Sequence, residues 1–329
     1  MTGWSTQDIP SQSGRVAIVT GTNSGLGFVT ARELARAGAT VVMTSRDAER
    51  GEAAKVRLLA AVPSADVRLE ALDLASLDSI RAFAARITSE YDGVDLLVNN
   101  AGVMAIPRAT TADGFEMQLG TNHLGHFALT GLLLPSLLAR TGSRVVTVSS
   151  TAHKIGSISF DDLLGEKRYW SWGAYAQSKL ANLLFAYELQ RRLDTAGATT
   201  ISVAAHPGYA STNLQAVGPQ QSGNKVMGLL MNLGNLAFGQ SADDGALPQL
   251  FAATAPEVTG GQFFGPSRLM ETRGAPKPVD STSKSKDAEV AARLWSVSEE
   301  LTGVSYDALT AGTAYPDHPR RGRPARSRS

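Results

Sequence analysis

Tyr175 and Lys179 stand four residues apart in a stretch whose apolar positions, Leu180, Leu183, Leu184 and Tyr187, keep helical spacing. On a helix that interval puts both side chains on one face with Cβ atoms about 5–6 Å apart, so a phenol and an ammonium share one locality. The spacing is common by chance, and alone it describes a solvated or snorkelling couple. Two further sets of groups carry chemistry. Ser149 and Ser150 close the apolar run 144–148, and Asn122, His123 and His126 interrupt a strongly apolar stretch at 119–138. Histidines three apart on a helix can chelate a metal, but no acidic residue or cysteine lies near to complete a site, so no metal is expected.

These groups need a frame, and it begins at Arg15. The run Arg15–Val19 is rich in Val and Ile and breaks into Gly21-x-x-x-Gly25-x-Gly27, after which Leu26, Val29, Ala31, Leu34 and Ala37 follow helical spacing up to Gly38. A strand, a glycine turn and a helix N-terminus in succession offer free N–H groups and the positive dipole end to an anion. Thr40–Thr44 reads as the next strand, delivering Ser45 and Arg46 about 20 residues past the glycines, where a dinucleotide fold inspects the adenosine ribose. An arginine there suits a 2′-phosphate. A charge-assisted hydrogen bond worth about 1.5–3 kcal/mol would favour NADP over NAD roughly ten- to a hundredfold; the plainer alternative is a solvated loop arginine.

Strand and helix then alternate. Helix 47–60 stops before Pro63, strand 67–72 is closed by Asp73, Ser76 caps a helix to Tyr91, and strand 95–98 ends in Asn99-Asn100-Ala101-Gly102. Strand 200–205 ends in His206-Pro207-Gly208, with Thr212 shortly after; 262–264 is a last short strand, and Val290, Leu294, Val297 and Leu301 stripe a helix ended by Gly303. The expected fold is therefore α/β, a single-domain, doubly wound Rossmann-type parallel sheet with helices on both faces. Its C-terminal strand ends gather the polar runs named above, where such sheets bind ligands.

The expected organisation is a flexible N-terminal segment at 1–13, one domain at 14–312, and a disordered basic tail at 313–329 holding Arg320, Arg321, Arg323, Arg326 and Arg328. Within the domain, 211–240 is read as a substrate lid, where Met227 and Met231 would suit a lipophilic guest; core packing and an interfacial membrane helix are the alternatives. A length of 329 residues buries a substantial core, and a net charge of +1 gives no reason to expect a specific nucleic acid or an anionic membrane as main partner. The lack of cysteine excludes disulfides, thiolate metal sites and cysteine nucleophiles. No signal-like N-terminus or bilayer-length apolar run is visible, so a cytoplasmic protein is expected, with at most weak membrane-surface contact, as a monomer or homodimer.

Taken in order, Thr20-Gly21-x-x-x-Gly25-x-Gly27, Asn99-Asn100-Ala101-Gly102, Ser150, Tyr175-x-x-x-Lys179 and Pro207-Gly208 resemble the short-chain dehydrogenase/reductase family, over about 15–265. Asn122-His123-Leu124-Gly125-His126-Phe127, the long interval from Ser150 to Tyr175, Ser178-Lys179-Leu180-Ala181-Asn182 and Arg293-Leu294-Trp295 resemble its retinol dehydrogenase and protochlorophyllide reductase branch. The resemblance implies a catalytic tetrad of Asn122, Ser150, Tyr175 and Lys179. It also implies an NADP(H) site of Gly21, Asn23, Ser24, Gly25, Leu26, Gly27, Arg46, Asp73, Leu74, Asn100, Ala101, Gly102, Tyr175, Lys179, Pro207, Gly208 and Thr212. Asp73 and Leu74 would flank the adenine and Thr212 would hold the nicotinamide amide. The expected activity is hydride transfer between NADP(H) and an apolar alcohol, aldehyde or ketone; the rivals are a catalytically idle NADP(H) sensor or scaffold and a ring double-bond reductase, the latter disfavoured by the lack of cysteine.

The residues suit that chemistry. Hydride transfer at a carbonyl carbon leaves a proton to be moved at the oxygen, which requires a positioned acid/base. Bringing a tyrosine from pKa about 10 to near 7 takes about 4 kcal/mol, and a lysine ammonium about 4 Å away at an effective dielectric of about 20 supplies a comparable amount. Oxidised nicotinamide adds a second positive charge. Lys179 would also hold the cofactor ribose, Ser150 would hydrogen-bond the substrate oxygen, and Asn122 would organise a water that relays the proton.

Overall fold

Every residue of Val16–Val19 (β1) and Leu96–Asn99 (β4) is buried, as is nearly all of Thr40–Ser45 (β2), Arg144–Val148 (β5) and Ile201–Ala205 (β6). Continuous apolar strands of this kind belong in a parallel sheet covered on both faces. The computed structural model describes residues 3–208 and 241–310. With Val67–Ala71 (β3), Phe263–Arg268 (β7) and Arg273–Pro278 (β8) the strands form one sheet in the order β3-β2-β1-β4-β5-β6-β7-β8, a single domain. All neighbours pair parallel except β7 and β8.

Side chains alternate across the sheet and divide the apolar interior in two. Ile18, Val42, Leu97 and Val145 face one core, closed by Leu77–Glu90 (α3), Gly125–Leu138 (α4), Ser171–Thr195 (α5) and Ala288–Thr302 (α7). Val19, Met43, Val98 and Val146 face the other, closed by Gly25–Arg36 (α1), Ala48–Ala61 (α2) and Ala242–Thr254 (α6). The expected doubly wound architecture is present.

Four features differ from the sequence reading. The helix expected over 119–138 is broken by a π-turn at Gly120–Leu124, preceded by the single turn Met117–Leu119. A Cβ on Gly125 would stand 2.4 Å from the Leu74 carbonyl oxygen, so the chain passes there at backbone contact. Strand β8 was not anticipated, because Pro276, Pro278 and Gly274 argue against a strand; at an open edge those residues are tolerated. Helix α6 was likewise missed, with Pro248 inside it. Residues 3–13, expected to be flexible, are docked: Ser5 and Asp8 form a capping box, the Trp4 ring meets Phe251 edge-on at 5.3 Å, and Gln12 donates its N–H to the Ala37 carbonyl at 2.8 Å. The expected lid at 211–240, Thr212 and the tail at 313–329 lie outside the described residues. Among the described residues, no helix is long and apolar enough to cross a membrane.

Helix α7 completes the wall behind α5. Its Trp295 stacks on Phe185 at 5.8 Å, meets Phe127 edge-on at 5.1 Å and carries the Arg192 guanidinium 4.3 Å from its ring centroid. Truncating a fully buried aromatic of this size costs about 3–5 kcal/mol. Trp295→Ala is therefore expected to lower the stability measured by urea denaturation by that amount.

Candidate active site

The turn after β1 is shaped by glycines whose backbone other residues resist: Gly21 has φ +71° and Gly25 has φ +59°. Gly27 has no room for a side chain, since a Cβ would stand 2.3 Å from the Gly21 carbonyl oxygen and 2.5 Å from Asn100 Nδ2. Ser24 caps α1 in extended conformation without a side-chain hydrogen bond, so the first-turn N–H groups receive no cap from it.

This turn opens on a cleft of about 300 Å³. Of the residues expected to hold a cofactor, Gly21, Asn23, Ser24, Gly25, Leu26, Arg46, Asp73, Leu74, Asn100, Ala101 and Gly102 line it. Gly27 sits behind the turn. Gly208, at φ +68°, lies against the Thr272 carbonyl, and neither it nor Pro207 is a lining residue. Ser45, which shares the strand end with Arg46, also lines the cleft, as do Thr44, Arg50, Leu72, Val103 and Thr121, which had not been singled out. Arg50 carried a signal, a second arginine four residues past Arg46; the others sit beside named motifs and carry no distinctive chemistry of their own. Arg46 and Arg50 are both exposed, Arg50 standing 3.5 Å from Asp47.

The arrangement suits a phosphorylated dinucleotide: glycines in the left-handed region, an open helix N-terminus and two guanidiniums face one cleft. Asn100 itself is occupied in holding the loop. Its Nδ2 donates to the Thr20 carbonyl at 2.8 Å and its Oδ1 accepts from Gln249 at 3.2 Å.

The inner end of the cleft reaches the tetrad. A Cβ built on Gly102 would lie 2.9 Å from Asn122 Oδ1 and 3.6 Å from Lys179 Nζ. Lys179 enters from α5, 3 % exposed, with Nζ donating to the Val148 carbonyl at 3.1 Å and standing 5.7 Å from the Tyr175 ring centroid. Tyr175 is buried one turn earlier with Trp172 edge-on to its ring at 6.1 Å. Of the two serines, Ser149 is committed to the scaffold, donating its hydroxyl to the Lys179 carbonyl at 2.7 Å, whereas Ser150 stands on the Tyr175 side and favours the charged form of its phenol.

Asn122 lies in the π-turn. Its amide clamps Val103 from both sides, accepting the Val103 N–H at 2.8 Å and donating to the Val103 carbonyl at 2.9 Å, with a further bond to Ser178 Oγ at 2.9 Å. Both amide N–H donors and one lone pair of the amide oxygen are thereby engaged.

Burial governs the ionisable pair. It pushes the Tyr175 phenol up to about 12, a rise Ser150 partly opposes, and pulls the Lys179 ammonium down to about 8. Loss of hydration thus acts on both groups in the direction of their neutral forms. Among the described residues no cluster of three or more His, Cys, Asp or Glu is placed to hold a metal ion. His123 instead meets Ser298 Oγ at 3.0 Å.

Residues 15–222 match the family described as short chain dehydrogenase. The chain is 43% identical to retinol dehydrogenase 13 of Homo sapiens over 297 residues, covering 88% of this chain and 85% of that protein. It is 43% identical to polyprenol dehydrogenase of Mus musculus over 300 residues, covering 90% and 86%. A solved structure from Mycobacterium Paratuberculosis is 47% identical and superposes with a TM-score of 0.76 over 93% of this chain and 99% of that one. The complex of Pseudomonas aeruginosa RhlG with NADP at its active site is 26% identical, with a TM-score of 0.59 over 77% and 94%. The glycine turn, the strand-end motifs and the Tyr175/Lys179 helix all fall inside the matched span, and the chain belongs to the short-chain dehydrogenase family, in its retinol dehydrogenase-like branch.

Proposed function

We propose that this protein transfers a hydride between NADP(H) and an apolar alcohol, aldehyde or ketone, with Tyr175 as the acid/base. The observation that carries this reading is the meeting at Gly102 of a dinucleotide-shaped cleft with Asn122 and Lys179, beside the Tyr175–Ser150 pair. In the matched NADP complex the cofactor is bound at the active site. Retinol and polyprenol, in the names of two relatives, are both isoprenoid primary alcohols, and we take that class as the substrate.

Arg46 and Arg50 would hold the 2′-phosphate, Asp73 and Leu74 the adenine, Asn100 to Gly102 the inner cleft, and Thr212 the nicotinamide amide. When bound, the nicotinamide donates or accepts the hydride. The chain's part is at the substrate oxygen: Ser150 donates a hydrogen bond to it, and Tyr175 Oη gives up its proton as the carbonyl becomes an alcohol, or takes it back in the reverse direction. A phenol with a pKa of about 12 is fully protonated at neutral pH, which suits the acid role in carbonyl reduction. Lys179 supplies positive charge to the phenolate that results. With the Asn122 amide engaged by Val103 and Ser178, a relay water would sit on its backbone carbonyl, beside the bond that carbonyl takes from His126 Nδ1.

The test is NADPH oxidation with retinaldehyde as substrate. Tight NADPH binding with no turnover of retinaldehyde or other apolar carbonyls would favour a sensor instead. Tyr175→Phe is expected to leave the NADPH Kd within about threefold while lowering turnover by about 10²–10⁴-fold, the usual worth of a positioned acid. Arg46→Asp should move the NADPH/NADH preference toward NADH by roughly ten- to a hundredfold; an unchanged ratio would remove Arg46 from the site.

Lys179→Met should abolish turnover yet stabilise the fold at neutral pH. Because the folded ammonium titrates near 8 and an unfolded lysine near 10.5, burying the charge costs on the order of 3 kcal/mol. That cost is fully present below pH 8 and fades as pH rises to 10.5. The Val148 carbonyl keeps a donor in Asn182 Nδ2 at 3.0 Å. Urea denaturation at pH 7 and pH 10 is expected to show a larger gain for the variant at the lower pH.

A further inference from the structure

His126 touches neither the cleft nor the Tyr175 phenol, yet it joins the parts that do the chemistry. It is fully buried and burial pulls its pKa down to about 4, so the ring is neutral and carries one donor and one acceptor. Its Nδ1 lies 3.0 Å from the Asn122 carbonyl oxygen, which only accepts, so the proton sits on Nδ1. Nε2 is then an acceptor and faces Thr20 Oγ1 at 2.9 Å, the nearer of two acceptors for the threonine proton, the Val98 carbonyl standing at 3.3 Å. The Thr20 lone pairs are left to the N–H groups of Asn100 and Ala101, both at 2.9 Å. Each hydrogen-bonding position of the imidazole and the hydroxyl is thereby assigned.

We propose that His126 is a positioning residue that locks the π-turn carrying Asn122 to the Thr20 end of the glycine loop. One end of the ring aims the Asn122 carbonyl; the other orients the hydroxyl that holds the Asn100–Ala101 backbone along the cleft. The proposal rests on the reading that this cleft binds NADPH and that Asn122 stands at its reactive end. A buried, fully satisfied polar chain holds such a geometry more tightly than apolar contact does, since any displacement leaves a dry group unpaired.

Two variants separate the ends. The His126→Asn amide nitrogen stands near the place of Nδ1 and keeps the donor to Asn122, but has no acceptor for Thr20. The His126→Gln amide oxygen reaches the place of Nε2 and keeps the acceptor for Thr20, but not the donor. NADPH Kd is measured by fluorescence titration, and kcat with retinaldehyde at saturating NADPH, after circular dichroism has matched each variant to wild type. For His126→Gln the expected result is a Kd within about threefold and a kcat lowered at least tenfold. For His126→Asn it is a Kd raised at least tenfold and a kcat within about threefold. The same pattern in both variants, or a change in melting temperature alone, overturns the role of His126. A wild-type protein that fails to bind NADPH or reduce retinaldehyde overturns the functional reading, and this one with it.

Discussion

The Val148 carbonyl, at the end of β5, accepts from both the Lys179 ammonium and the Asn182 amide, while Ser149 returns a hydroxyl to the Lys179 carbonyl. The ammonium has one protein acceptor there, the Val148 carbonyl, and with the Asn182 and Ser149 bonds it fixes how α5 lies on the sheet. The rest of the site follows from that seating. Tyr175 is carried in one turn before Lys179, Ser150 emerges from the same strand end to reach the phenol, and Ser178 turns to the Asn122 amide. Phe127 and Trp295 back the helix from the other side, packing on its Phe185.

Much of this was legible because it is local or periodic. Apolar runs marked β1, β2, β4, β5 and β6, since strands buried on both faces are apolar at most positions rather than at every second one. Tyr175 and Lys179 could be paired because a single helix carries both. What escaped was non-local or looked unfavourable in isolation. The 106-residue separation of Thr20 and His126 hides their contact from any local reading, and a π-turn has no compositional mark. Strand β8 carries residues that oppose strands elsewhere, and residues 3–13 look loose until Phe251 provides a surface for Trp4.

The chemical character of the pair was less legible than its position. Spacing places a lysine near a tyrosine but does not say how dry the pair will be, and dryness decides the sign of the shift on the phenol. Interior packing moves Tyr175 and Lys179 toward their neutral forms together. The pocket is thus disposed to keep a proton on the phenol, and the substrate side must draw it off.

The two margins of the sheet bear on a different property, the tendency of open β-structure to polymerise. At one margin, β3 alternates Arg68 and Glu70 outward, Glu70 pairing with Arg86 at 2.9 Å. At the other, β8 places Pro276 and Pro278 around Lys277, so part of its ladder has no N–H to offer and the rest carries a charge. Neither margin presents a flat apolar template to a second chain, which is how natural sheets discourage edge-to-edge growth. The prolines that concealed β8 from the sequence reading are thus the same residues that leave two positions of the edge with no N–H for a further strand.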